Sequence, residues 1–133
     1  MLMDDLAQIN ILDHYRHPRN HGTIEHPTVS REEFNPLCGD KIRLDLLIED
    51  GIIADLRFTG RGCTISQAST SMLTEALKGQ TVEAAKAFGK DDVLDLLGIS
   101  IGYTRLKCAL LGLKALKVGV YTAGGETWDR DEI

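Results

Sequence analysis

Cysteine is scarce in this chain of 133 residues, which has three. Cys38, Cys63 and Cys108 stand 25 and 45 residues apart, an odd number at long intervals that suits neither a disulfide framework nor a zinc site of paired CxxC units. Basic charge is not in excess either. Fifteen Lys and Arg against twenty Asp and Glu leave a net charge of −5, and without a basic patch this balance argues against a nucleic-acid partner. Long apolar runs are absent: nothing approaches the roughly 18 residues of a membrane span. The opening "MLMDDLAQIN" carries two acids where a signal peptide would have its apolar centre. The expectation is a cytoplasmic protein with no membrane partner. Internal repeats and low-complexity tracts are also missing, which sets aside fibrous or disordered classes.

The hydrophobic fraction of 43% and charged fraction of 26% are ordinary for a globular chain, and the length suits one domain with its own core. One domain over residues 1–133 is expected, with a flexible acidic tail from about 124 to 133.

Leu2, Leu6, Ile9 and Leu12 recur at helical spacing, so the first sixteen or so residues read as one amphipathic helix, closed before Pro18. Residues 28–34 are mixed and extended. In "KIRLDLLIED" Ile42, Leu44, Leu46 and Ile48 alternate with polar positions, the pattern of a strand buried on one face. The Asp-Gly pair at 50–51 then turns the chain into "IIADLRFTG", making a hairpin over 41–59. After it, Ile65, Ala68, Met72, Leu73, Ala76 and Leu77 trace a helical stripe that Gly79 stops. Two short helical segments follow, "TVEAAKAFG" and "KDDVLDLLG". From Tyr103 onward, with Thr104 as N-cap, Leu106, Ala109, Leu110, Leu113 and Leu116 share the face of one last helix.

Each cysteine therefore falls at a junction: Cys38 before a strand, Cys63 between a strand and a helix, Cys108 early in a helix. A buried apolar role would more often place a cysteine mid-element. Gly39, Gly60 and Gly62 beside the thiols permit backbone shapes other residues avoid, although glycines also serve plain turns. A thiol at a helix N-terminus, as at Cys63, feels the positive end of the helix dipole, which favours the thiolate. Cys38 and Asp40 are two positions apart, so in an extended segment they point the same way.

If Cys38, Asp40, Cys63 and Cys108 converge, three sulfurs and one oxygen form a set suited to Zn²⁺ or to a small iron–sulfur cluster. Four anionic ligands around a dication leave the site negative, so nearby cations would compensate. Lys41, Arg61, Arg105 and Lys107 stand beside these residues in sequence, and could equally form a solvated face. A hard carboxylate among soft thiolates holds such a centre less firmly than a fourth cysteine. That favours a site which releases its load.

The motifs "DHYRHPRNHG" at 13–22, "CGD" at 38–40, "GRGCTISQASTS" at 60–71 and "RLKC" at 105–108, in this order, identify a resemblance: the chain is similar to the U-type iron–sulfur cluster assembly scaffold family from about residue 9 to 118. The resemblance implies an α+β fold, with a three-stranded antiparallel sheet, helices packed on it and a metal site at one exposed end. It implies that Cys38, Asp40, Cys63 and Cys108 are the ligands, that the cargo is a transient [2Fe–2S] cluster, and that Zn²⁺ occupies the cluster-free form. A cysteine desulfurase and acceptor apo-proteins or carriers are the implied partners. The chaperone-dependent branch carries Leu-Pro-Pro-Val-Lys, and a histidine before its last cysteine; here "GYTRLKC" at 102–108 has no proline and has Lys107 in place of the histidine. An Hsp70-type chaperone is a doubtful partner on that ground. Arg105 and Lys107 resemble instead the branch of zinc-bound sulfur acceptors.

Two readings follow: an assembly scaffold that is a carrier rather than a turnover enzyme, and a zinc-dependent sulfurtransferase in which Cys108 accepts persulfide sulfur. A Cys–His hydrolase is a third class. Its histidines would come from His14, His17, His21 and His26, but Pro18 breaks their helix and no motif sets a base beside a cysteine. For "DHYRHPRNHG" the expected role is docking, with Tyr15 and Pro18 packing the first helix onto the sheet, and Arg16 and Arg19 facing an acidic partner.

Overall fold

The computed structural model describes residues 3–36 and 39–128, with side chains from residue 5 onward. In chain order the elements are α1 (Met3–Arg16), β1 (Val29–Asn35), β2 (Asp40–Glu49), β3 (Ile52–Arg61), α2 (Thr64–Leu77), α3 (Val82–Ala87), α4 (Lys90–Leu97), α5 (Tyr103–Ala109) and α6 (Leu111–Ala123). The fold is α+β, with one antiparallel sheet in the order β1-β2-β3 and the helices laid against it.

The hairpin of β2 and β3 turns at Asp50 and Gly51, with φ of 53° and 75°, the pair of left-handed residues that matches the twist of flanking strands. Period-two alternation then decides the inner face. Ile42, Leu44 and Leu46 on β2, with Ile53, Leu56 and Phe58 on β3, are almost wholly buried, and each contributes about 1.5–3 kcal/mol of burial. Helices α2 and α6 cover them. The alternation breaks at Asp45, which the outer face should expose but which is 1% exposed.

A crossing segment explains that burial. Phe58 N–H donates to Asn20 O at 3.0 Å and Gly22 N–H to Phe58 O at 2.8 Å, so the chain first runs beside β3. It then passes over the outer face, where Ile24 N–H donates to Asp45 Oδ2 at 3.0 Å, and joins β2 through Thr28 N–H to Leu46 O at 2.7 Å. The Ser30 hydroxyl and the Arg43 guanidinium also donate to Asp45 Oδ1. Burial alone would raise the Asp45 carboxyl, and these donors outweigh it, so the group sits below the usual carboxylate range.

Helix α1 differs from its sequence reading in the face it buries. Leu6, Ile9 and Leu12 are exposed, at 52%, 53% and 42%, while Ile11 and His14 turn inward; Leu2 lies outside the described residues. The reason is the surface that α2 offers. Ser66, Ser69, Thr70, Ser71 and Thr74 of α2 are all buried, and α1 and the turn after it meet the hydroxyls of Ser71 and Thr74 rather than an apolar strip. His14 Nδ1 lies 2.8 Å from Ser71 Oγ, which also accepts from Arg19 N–H at 2.8 Å. Asn20 Nδ2 donates to Thr74 Oγ1 at 3.2 Å. Arg19 pairs with Asp13 at 2.6 Å and reaches Glu75 at 3.8 Å. The "DHYRHPRNHG" segment thus docks α1 and the following turn, through His14, Arg19 and Asn20. Tyr15 stays 43% exposed.

The last helical stretch is divided. Leu110, with φ −99° and ψ 1°, separates α5 from α6, and Gly102 rather than Thr104 precedes α5. The bend lets α6 approach α2 at Gly112, where a Cβ would meet Thr70 Oγ1 at 2.3 Å. Residues 129–133 of the acidic tail lie outside the described residues; before them, Glu126 pairs with Lys86 at 3.1 Å.

Candidate metal centre

Three of the four proposed ligands can be placed, and they meet at one end of the sheet. Asp40 opens β2, paired across the strands with Asn35. Cys63 is the N-cap of α2, and Cys108 lies in the last turn of α5. Their ligand atoms lie within 4.8 Å of one another, close enough for a single ion or a small cluster to bridge them. Cys38 lies outside the described residues, between Pro36 and Gly39 of the β1–β2 connection.

Local backbone geometry builds the site. Gly62 has φ +139°, and a Cβ there would fall 2.0 Å from Asp40 Oδ1. Only glycine lets the loop close over the carboxylate. At Gly60 a Cβ would fall 2.5 Å from the Lys41 carbonyl oxygen, so the strand end also needs a bare backbone. These contacts allow Cys63 N–H to donate to Asp40 Oδ1 at 2.8 Å, while the Cys63 thiol donates to Oδ2 at 3.6 Å. Ser66 N–H points at the Cys63 sulfur at 3.5 Å, and the Ser66 hydroxyl donates to Cys63 O at 3.1 Å. The sulfur caps the helix in the way a serine oxygen ordinarily would.

Asp40 and Cys108 are 1% and 5% exposed, whereas Cys63 is half-buried. Solvent reaches the site from the Cys63 side. The donor set has the chemistry a soft divalent ion or a cluster iron requires, two sulfurs and an oxygen converging, and the Gly62 cradle reserves room for the oxygen.

Asn35 joins the site without having been foreseen. It is 6% exposed and its Nδ2 lies 3.9 Å from Cys108 Sγ, in position to donate. Its backbone carbonyl accepts from Gly39 N–H at 2.8 Å. The sequence signal was its place at the start of "NPLCGD", a polar residue three positions before a thiol.

The four cations spread around the rim. Lys41 alternates away from Asp40 to the outer face and pairs with Glu32 at 3.3 Å. Arg61 lines a cavity of about 460 Å³ with Tyr15, Pro18, His21 and Gln67. Arg105 lines a groove with Leu12, Thr64, Ile65 and Ile99, and Lys107 a small cavity beside Asn35. The histidines stand apart from the thiols: His14 is committed to Ser71, and His21 packs edge-on against Phe58.

Residues 7–127 match the NifU-like N terminal domain family. The zinc-dependent sulfurtransferase SufU of Bacillus subtilis is 40% identical, with 89% of this chain and 91% of that protein covered. The iron–sulfur cluster assembly scaffold protein IscU of Escherichia coli is 32% identical, over 83% of this chain and 88% of its own. A crystal structure of a putative iron–sulfur cluster assembly scaffold protein for the SUF system, from Fervidobacterium islandicum, superposes with a TM-score of 0.70 at 28% identity, covering 84% of this chain and 93% of that one.

Proposed function

Because the chain belongs to the NifU-like N-terminal domain family, we propose that Cys38, Asp40, Cys63 and Cys108 form a site on which a [2Fe–2S] cluster is assembled from iron and desulfurase-derived sulfur, and from which it passes to acceptor proteins. The observation that carries this reading is the carboxylate between the thiols. Asp40 Oδ1 is engaged by Cys63 N–H, so coordination through Asp40 runs through Oδ2, one hard oxygen against soft sulfur ligands. Such a ligand is the weakest of the set and the first to yield to an incoming thiolate. Exposure on the Cys63 side gives that thiolate its approach. In this reading the chain is a carrier, and the cluster is its cargo.

The second reading has its own support, the match to a zinc-dependent sulfurtransferase over nearly the whole chain. The same four residues would hold Zn²⁺, which when bound keeps the thiols deprotonated near neutral pH. The Cys108 thiolate attacks the outer sulfur of a desulfurase persulfide. A new S–S bond forms at Cys108, the old one breaks, and the desulfurase cysteine leaves as its thiolate. Asn35 Nδ2 fixes the direction of the Cys108 sulfur for that attack.

Metal and acid-labile sulfide are to be measured in the purified protein, before and after anaerobic incubation with iron, cysteine and a cysteine desulfurase. Iron and sulfide appearing in equal amounts support the scaffold. Zinc retained at one per chain, with faster desulfurase turnover, supports the sulfur acceptor and overturns the scaffold reading.

A further inference from the structure

Among the described residues the outward stripe of α1 is left largely uncovered, with Leu12 at its edge bordering the groove that Ile99 and Arg105 also line. With about 100° between successive helical residues, Asp5, Ile9, Leu12 and Arg16 fall on one narrow face, away from the side on which Ile11 and His14 pack against α2. Ile9 and Leu12 are 53% and 42% exposed, and Leu6 and Tyr15 flank them at 52% and 43%. Asp5 and Arg16 have no ion-pair partner among the described residues. The face thus reads acid, apolar, apolar, base, at helical spacings of four, three and four.

That order is its own complement in reverse. If a second copy of α1 lies antiparallel with the two-fold axis between residues 10 and 11, Ile9 of one copy meets Leu12 of the other at both sides of the axis. Asp5 then stands opposite Arg16 at both ends, about 8 Å along the axis from the centre. Leu6 and Tyr15 come to the same level on the two flanks.

We propose that α1 is a two-fold docking surface for a second copy of this chain, with Ile9 and Leu12 as its apolar centre and the Asp5–Arg16 pairs as its register. A partner of one charge sign would not call for an acid and a base at equal distances from the middle. One helix pair is a small interface, so the association is weak and depends on concentration. The inference is independent of what the metal centre holds.

Sedimentation equilibrium of the full chain under reducing conditions, up to about 1 mM, tests it. A monomer–dimer equilibrium is expected. Ile9→Asp or Leu12→Asp should raise its dissociation constant at least about tenfold, and Asp5→Arg alone about fivefold, while Asp5→Arg with Arg16→Asp returns it to within about twofold of the parent. All four positions are exposed, and unchanged thermal unfolding verifies that the variants fold. A chain that stays monomeric, a dimer indifferent to Ile9→Asp, or a double exchange no stronger than the single overturns the proposal. Stripe variants that weaken desulfurase binding without changing the oligomeric state also overturn it, and give the face to that partner.

Discussion

His14 Nδ1 and Ser71 Oγ lie 2.8 Å apart across the α1–α2 interface, and the imidazole is 3% exposed. Burial first, and the Arg19 charge second, hold the His14 imidazolium below its ordinary value of 6.5. The folded state therefore prefers the neutral ring. Below about pH 6.5 the unfolded chain binds a proton that the folded chain resists, so stability present at neutral pH is lost as pH falls toward the lowered folded value. Urea unfolding at about pH 7.5 and 5.5 should show a larger acid loss for the parent chain than for His14→Gln. Equal losses would remove His14 as the cause. His14→Ala should cost about 1–3 kcal/mol at the higher pH.

Gly62→Ala tests the cradle. The added Cβ has nowhere to go at 2.0 Å from Asp40 Oδ1, and φ +139° strains any side chain. We expect a stability loss of about 2 kcal/mol or more, together with weakened zinc binding in a chelator competition. Parent-like affinity would mean that the loop does not position the carboxylate.

Asp40→Ala removes the hard ligand. If release depends on it, the assembled cluster should persist several-fold longer in the presence of an acceptor, measured by the decay of its visible absorbance. An unchanged or shorter lifetime argues against the release role. The fold should also loosen by about 1–2 kcal/mol, because Cys63 N–H loses its acceptor.

Asn35→Leu tests the amide beside Cys108. Groups that bond to metal ligands typically alter affinity about 10- to 100-fold when removed, so zinc affinity should fall by about tenfold. In the sulfur-acceptor reading, desulfurase stimulation should fall with it. A variant that binds zinc like the parent would reduce Asn35 to a turn residue.

Much of this architecture was legible because its signals are local. The Asp50–Gly51 turn and the alternation from Ile42 to Leu46 define the hairpin without any long-range information. The junction position of Cys63 was legible too, whereas Cys108, expected early in one long helix, lies in the last turn of the short α5; the convergence of the two was not legible, since 45 residues separate them and only the family resemblance linked them. Periodicity found the α1 stripe yet could not say whether it faced the core or solvent. The answer lay in the hydroxyl-rich surface of α2, which binds His14 instead. Asp45 looked like an outer-face polar residue because the segment that covers it, 22–28, has no periodic signature. The break at Leu110 has no local cause such as proline. It accompanies the close approach of Gly112 to Thr70, visible only once α2 and α6 are set side by side.

The cap of α2 has a consequence of its own. Ser66 N–H and any load at this centre draw on the same sulfur lone pairs of Cys63. On the scaffold reading, a bound load would therefore loosen the first turn of α2, coupling what the site holds to the order of that helix end.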